Sequence, residues 1–285
     1  MYSGTLLLDR RRLMLRNKTS YLFRKLKLMP LFDWLYFSFN KIYFFNKNKR
    51  FVKEHPGVAI PPDYMLYESF RLDYSNYYHD GKETATWVTE QYSTFHPLSD
   101  VKILDWGCGP GRVVRHIPEL LPSSGIYAAD YNRKTIEWCA QNIAGVEFAK
   151  NNLEPPMPFN DSFFDFIYGL SVFTHLSLNS HYLWLKEIHR LLKPGGIFLF
   201  TTQGKAFDSK LSEGEYKNFS SGLFVVRDSA KEGHRSFSAF HPEEFIHSIL
   251  SVNWKVLKFM PGTIQSWGAE QDTWIVQKVN GPNNQ

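Results

Sequence analysis

Gly107, Gly109 and Gly111 stand at alternate positions directly after the run Val101-Lys102-Ile103-Leu104-Asp105-Trp106. An apolar run of this kind reads as a buried strand, and glycines at its end let the backbone approach a ligand where any Cβ would clash. The natural occupant of such a turn is a nucleotide-like cofactor. The dinucleotide fingerprint G-x-G-x-x-G fails here, because position 112 is Arg112 and the third glycine falls one place early. The phosphate-binding loop fails as well, since no Gly-Lys-Ser/Thr follows. Further on, Gly125-Ile126-Tyr127-Ala128-Ala129-Asp130 is a second short apolar strand ending in an acid. A carboxylate at that place can accept two hydrogen bonds from a ribose diol.

The elements that must hold these residues follow in order. Asn151-Asn152-Leu153 precedes Pro158-Phe159-Asn160-Asp161-Ser162 and the strand-like Phe163-Phe164-Asp165-Phe166-Ile167-Tyr168. A turn, Leu191-Leu192-Lys193-Pro194-Gly195-Gly196, leads into the strand Ile197 to Thr202. Ser221 to Asp228 and Arg235 to Phe240 are expected to form a hairpin. His241-Pro242-Glu243-Glu244-Phe245 opens a helix, with proline early and acids in the first turn. Trp254 to Met260 and Asp272 to Lys278 read as the last two strands.

Taken together, these segments resemble the class I S-adenosylmethionine (SAM) methyltransferases. Asp105 with Gly107, Gly109 and Gly111 corresponds to motif I, Asp130 to the acid after the second strand, Pro158 to Tyr168 to the fourth strand, and Leu191 to Gly196 to the turn before the fifth. The resemblance covers roughly residues 95 to 280. It implies an α/β, Rossmann-like, doubly wound seven-stranded sheet whose last strand runs antiparallel between strands five and six. Ser171 to Leu176 and Asp105 to Gly109 also resemble a bacterial branch acting on small molecules, lipids or glycans.

The cofactor implied is SAM, with S-adenosylhomocysteine as product and no metal. Gly107, Gly109 and Gly111 would pass close to its methionine and ribose portions, and Asp105 would orient the loop or the ammonium. Asp130 would take the ribose hydroxyls. Asn151, Asn152 and the Leu153 backbone would meet the adenine edge, where many relatives carry an aspartate. Cys108, Tyr131 and Ser171 complete the expected cofactor contacts, Cys108 as a small residue tolerated in the loop. A hydroxyl acceptor has a high pKa and makes a general base useful. His175, just past strand four at the carboxyl edge where open sheets bind ligands, is the candidate, with His241 and Gln203 behind it.

Composition fits one large α/β core with an added segment: 285 residues, 43% hydrophobic and 21% charged. Two cysteines, Cys108 and Cys139, argue against a disulfide scaffold and for a reducing, cytoplasmic compartment. The ten histidines show no spacing that would gather a metal.

The net charge of +5 conceals an asymmetry. Residues 1 to 60 hold thirteen Lys/Arg against Asp9, Asp33 and Glu54, a net of +10, so the other 20 Lys/Arg against 25 acids give −5. An acidic catalytic portion is a poor partner for a polyphosphate, which counts against nucleic acid.

Residues 1–54 form a basic, aromatic-rich arm. Arg10-Arg11-Arg12, Arg16, Lys18, Arg24, Lys25 and Lys27 lead into an apolar run, Leu31 to Phe45, interrupted by Asp33 and Lys41. The run is too short to span a bilayer. Two readings stay open: the arm lies on an anionic membrane face, or Trp34, Tyr36, Phe37 and Phe44 pack as a cap on the domain. Residues 55–95 then comprise the helix-hostile linker His55 to Pro62 and lid-like helices from Asp63 to Phe95, with Tyr77, Tyr78 and Gly81 as lid contacts and Gln203 as a further substrate contact. Residues 96–280 are the SAM domain, in which Gly204 to Glu232 is expected to line the acceptor pocket, and 281–285 a tail. The function expected is methyl transfer to a small-molecule, lipid-linked or glycan acceptor by a cytoplasmic enzyme, peripheral to the inner membrane face if the arm docks there. The alternatives are a non-catalytic SAM-binding protein that docks a partner through its arm, a SAM-using enzyme that does not transfer methyl and, more distantly, a nicotinamide dehydrogenase.

Overall fold

The apolar runs that end in acids become the central strands of one sheet, because each must bury both faces once helices cover them. In the computed structural model, which describes residues 29–69, 71–227 and 231–279, β1 (Lys102–Trp106) pairs in parallel with β2 (Gly125–Asp130) and with β4 (Phe164–Gly169). β3 (Glu147–Lys150) adds to β2, and β5 (Leu192–Thr202) adds to β4. After β5 come the two-stranded ribbon of β6 (Val225–Arg227) with β7 (Ser238–Phe240), then β8 (Trp254–Met260), the small hairpin of β9 (Ile264–Gln265) and β10 (Gly268–Ala269), and β11 (Asp272–Lys278). The seven-stranded order is β3-β2-β1-β4-β5-β11-β8, with β11 antiparallel to both neighbours. This is the Rossmann-like sheet with a reversed last strand that the sequence predicts. The β9–β10 hairpin is a feature that the sequence pattern did not reveal.

The helices, in chain order, are α1 (Met29–Glu54), α2 (Asp63–Ser69), α3 (Tyr74–Ser93), α4 (Ile117–Leu120), α5 (Arg133–Asn142), α6 (Leu178–Leu191), α7 (Glu213–Ser220) and α8 (Glu243–Leu250). Two buried clusters sandwich the sheet. On one face α6 and α8 supply Trp184, Leu185, Ile188, Ile246 and Leu250 against Leu104, Phe198 and Trp274. On the other, α3 and α5 supply Ala85, Val88, Tyr92 and Ile136 against Ile103, Phe166 and Leu199. Each fully buried Leu, Ile or Phe contributes about 1.5–3 kcal/mol by leaving water.

The arm divides in two. Phe51 is buried, and Phe37 and Phe44 pack on Leu66, Tyr67, Leu72 and Tyr77 from α2 and α3. Two ion pairs, Lys41 to Asp63 at 3.0 Å and Lys47 to Asp73 at 2.5 Å, fix the contact. Trp34 and Tyr36, expected in the same cap, are instead 62% and 52% exposed, although the Tyr36 ring still reaches Tyr67 at a centroid distance of 6.3 Å. The cations from Arg10 to Lys27, together with Phe70, Asp228 and the tail 281–285, lie outside the described residues. Among the described residues no helix is long and apolar enough to cross a membrane.

Gly204 to Glu232 departs from expectation. Ala206, Phe207, Leu211, Phe219 and Val225 form their own buried cluster with Phe240, so most of the segment is packed into a satellite core and does not line a pocket.

Candidate functional site

A cavity opens at the carboxyl ends of β1, β2 and β4, the edge where the strand order reverses direction from the sheet's centre. Gly107, Gly109, Asp130, Tyr131, Asn151, Asn152, Leu153, Ser171 and His175 all line it. The loop takes its shape from positive φ angles of 76°, 51° and 74° at Gly107, Gly109 and Gly111, which a side chain rarely adopts. A Cβ at Gly107 would sit 2.5 Å from the Val172 side chain. The Gly107 and Cys108 amides donate to the Ala129 carbonyl at 2.8 and 3.1 Å, which seats the loop on the end of β2.

Asp130 is the hinge between loop and strand. One carboxylate oxygen accepts from the Gly109 amide at 3.0 Å and the other from the Asn132 amide at 2.8 Å. Burial pushes its pKa upward, against the pull of these amides. Asn151 is buried; its side-chain N–H donates to the Asn152 carbonyl at 2.6 Å and its Oδ1 is left with no partner among the described residues. Asn152 Oδ1 is taken by Lys150 at 3.0 Å, and the Leu153 carbonyl by the Trp184 indole at 3.0 Å. Ser171 sits at φ 62°, held by a hydrogen bond from its amide to Thr201 and one from its hydroxyl to Gln271, at 2.8 and 3.1 Å.

His175 closes a short 3₁₀ turn, Phe173–His175. Its Nδ1 lies 2.8 Å from the Phe237 carbonyl, which can only accept, so Nδ1 carries the proton and Nε2 the lone pair. Burial lowers the ring's pKa below the ordinary imidazole value, opposed by that same carbonyl. The geometry is that of a neutral imidazole ready to take a proton.

Other expected site residues lie elsewhere. Asp105 is buried behind the loop rather than on the cavity wall, and burial raises it to about 7 against the influence of Tyr168 and Arg112. Gly111 packs against Ile143 and Cys139. Cys108 belongs to the apolar cluster under β1, and burial pushes its thiol well up, which leaves it protonated. Tyr77 and Tyr78 do not reach the cavity: Tyr77 donates to the Pro110 carbonyl at 2.7 Å, buttressing the loop from outside, and Tyr78 packs edge-on against His116. Gly81 meets the Arg112 backbone. Gln203 is buried with its carbonyl accepting from the His241 amide, and His241 pairs ring to ring with His181 at 2.9 Å.

The sequence reading missed part of the wall. Tyr64, Met65 and Glu68 from α2, and Gly233, His234 and Arg235 from the loop before β7, complete the cavity. The tyrosine-rich spacing after Asp63 pointed toward α2, but nothing in the sequence pointed to residues 233–235. The Gly233 amide donates to the His175 carbonyl at 2.9 Å and the Tyr131 hydroxyl to the Gly233 carbonyl at 3.0 Å, so this loop is tied to both sides of the site. Among the described residues no group of His, Cys, Asp or Glu is placed to hold a metal ion.

Residues 104–200 match a family model described as "Methyltransferase domain". The chain is similar to the phthiotriol/phenolphthiotriol dimycocerosates methyltransferase 1 of Mycobacterium ulcerans, 30% identical over 134 residues, 45% of this chain and 43% of that protein. It is also similar to the fatty-acid O-methyltransferase of Mycolicibacterium smegmatis, 30% identical over 38% of this chain and 39% of that one. It thus spans about two fifths of the length of these curated relatives. The fold resembles the crystal structure of a SAM-dependent methyltransferase from Methanosarcina mazei, with a TM-score of 0.53 at 21% identity, covering 66% of this chain and 97% of that one.

Proposed function

Because this chain belongs, through residues 104–200, to the class I SAM-dependent methyltransferase superfamily, whose cofactor is SAM, we propose that it transfers a methyl group to a hydroxyl of a lipid or lipid-linked acceptor. One observation carries the reading: a single cavity holds the glycine loop with Asp130 and also His175 in its neutral tautomer. The residues present fit the cofactor. The orphaned, buried Oδ1 of Asn151 is an acceptor in want of an N–H, which the adenine amine would supply. Asp130 keeps lone pairs for the ribose hydroxyls beyond its two backbone bonds, and Gly107 and Gly109 give room for close approach. When bound, SAM supplies a methyl group activated by a sulfonium.

The chain's own work is then alignment and proton removal. His175 Nε2 would take the proton of the acceptor hydroxyl, and the cavity walls would hold that oxygen in line with the methyl group that bound SAM would supply. Met65, Leu170, Val172 and Trp184 in the cavity wall favour an apolar acceptor and exclude water. The names of the two mycobacterial relatives support the same acceptor class. The reading places the chain in the cytoplasm.

Calorimetry with SAM, followed by transfer of labelled methyl into the organic-phase and aqueous fractions of an extract, tests the proposal. Label in the organic phase is the expected result. SAM binding with no label in any fraction would make this a non-catalytic SAM-binding protein.

A further inference from the structure

The exposed side of α1 changes character along its length. Trp34, Leu35, Tyr36, Phe39, Ile42 and Tyr43 are 52–77% exposed, an apolar surface that a folded chain rarely leaves to water. The last turns carry Lys49, Arg50 and Lys53, with no acidic partner for them among the described residues. Phe37 and Phe44 anchor the opposite side of the helix to α2 and α3, so this face is held outward rather than awaiting a place in the core. Residues 1–28 add eight further Lys/Arg against the single acid Asp9.

The apolar end of α1 adjoins the site. The Phe37 and Tyr36 rings contact Tyr67 of α2 at centroid distances of 5.1 and 6.3 Å, and the Arg235 guanidinium lies over the same Tyr67 ring, 4.2 Å from its centroid. Arg235 and the neighbours of Tyr67 in sequence, Met65 and Glu68, line the cavity. The rim is therefore one packed ring away from the exposed face.

Resting on the methyl-transfer reading above, we propose that α1 docks on an anionic lipid bilayer and sets the rim formed by α2 and Arg235 against it, so that the acceptor passes into the cavity from the membrane. Rings and aliphatic groups settle at headgroup depth, and the cations at the end of the helix pair with anionic headgroups. A second copy of the chain would answer the apolar surface but would bring the cations at the end of α1 no anionic partner from its own apolar face. A bilayer answers both.

The test uses the full chain. It should co-sediment with vesicles containing phosphatidylglycerol, bind phosphatidylcholine vesicles at least tenfold more weakly, and be released by salt. The variant F39S/I42S/Y43S should lose at least tenfold in vesicle partitioning while SAM affinity by calorimetry is unchanged. K49Q/R50Q/K53Q, which leaves the apolar face intact, should weaken only the anionic preference. Because Cys108 and Cys139 are buried, a thiol-reactive fluorophore can be placed singly. On Y64C at the rim it should be quenched by brominated lipid, and on V252C, before β8 at the amino-terminal edge of the sheet, it should not. A full chain that ignores anionic vesicles, or a concentration-dependent dimer abolished by F39S/I42S/Y43S, overturns the docking. Equal quenching at both labels overturns the placement of the rim. Failure to bind SAM alongside normal vesicle binding defeats the methyl-transfer reading and leaves the docking standing.

Discussion

One wall of the cavity comes from residues 107–151, whereas the other takes Tyr64, Met65 and Glu68 from α2 and Gly233, His234 and Arg235 from a loop far along the chain. The first wall is made of backbone and short polar groups fixed by strand ends, as in the bonds from the Gly109 and Asn132 amides to Asp130. The second is made of long side chains on a helix and a loop, joined to the first by the Tyr131 to Gly233 bond. On the methyl-transfer reading, the rigid wall would hold the cofactor and the second wall would select the acceptor. His175, just past β4, is tied to the second wall, with its ring held by the Phe237 carbonyl and its own carbonyl by the Gly233 amide.

If that division holds, variants on the two walls separate kinetically. His175→Ala should have the largest effect, a loss in kcat of about 10²-fold with SAM affinity unchanged. The base acts when unprotonated, and burial lowers its pKa, so the acid limb of the natural enzyme's rate should lie below the ordinary imidazole value and the rate should be flat at neutral pH. Near-normal turnover in the variant would return His175 to a purely structural place beneath Phe237.

Asp130→Ala should weaken SAM by about 1–3 kcal/mol through lost charged hydrogen bonds. Calorimetry measures this directly, and an unchanged affinity would remove the rigid wall from the cofactor. Gly109→Val puts a branched side chain at φ 51° and should cost at least about tenfold in SAM affinity, roughly 1.4 kcal/mol; circular dichroism checks that the fold survives.

Smaller effects sharpen the boundary. Asn151→Leu removes the orphaned acceptor, and SAM affinity should fall by about 0.5–1.5 kcal/mol. Tyr131→Phe cuts the tie between the walls, and the acceptor KM should rise about twofold, on the order of 0.5 kcal/mol, with SAM binding unaltered. A fall in SAM affinity of that size instead would assign the Tyr131 hydroxyl to the cofactor wall.

The sequence by itself determined the rigid wall, since strand, turn and acid are consecutive in β1 and β2 and a glycine-lined turn has few conformations open to it. The apolar runs of β5, β8 and β11 could each be read as strands, whereas the order of the sheet and the reversed β11 came from the resemblance of the motifs to the class I methyltransferases and are present in the fold. Burial direction was not legible. Tyr77, Tyr78 and Gln203 share the composition of ligand contacts, yet the Tyr77 hydroxyl is spent on the Pro110 carbonyl, Tyr78 packs on His116, and Gln203 is buried with its main-chain carbonyl accepting from His241. Residues 233–235 carry no periodic signal, and only the closure of the chain over α2 brings Arg235 onto Tyr67. In the arm, helical geometry sorts the aromatics: positions seven apart share a face, so Phe37, Phe44 and Phe51 are anchored while Phe39 and Ile42 are left outside. A run of aromatic residues fixes how much apolar surface the helix has; which part of it meets the protein is decided by what α2 and α3 place beneath it.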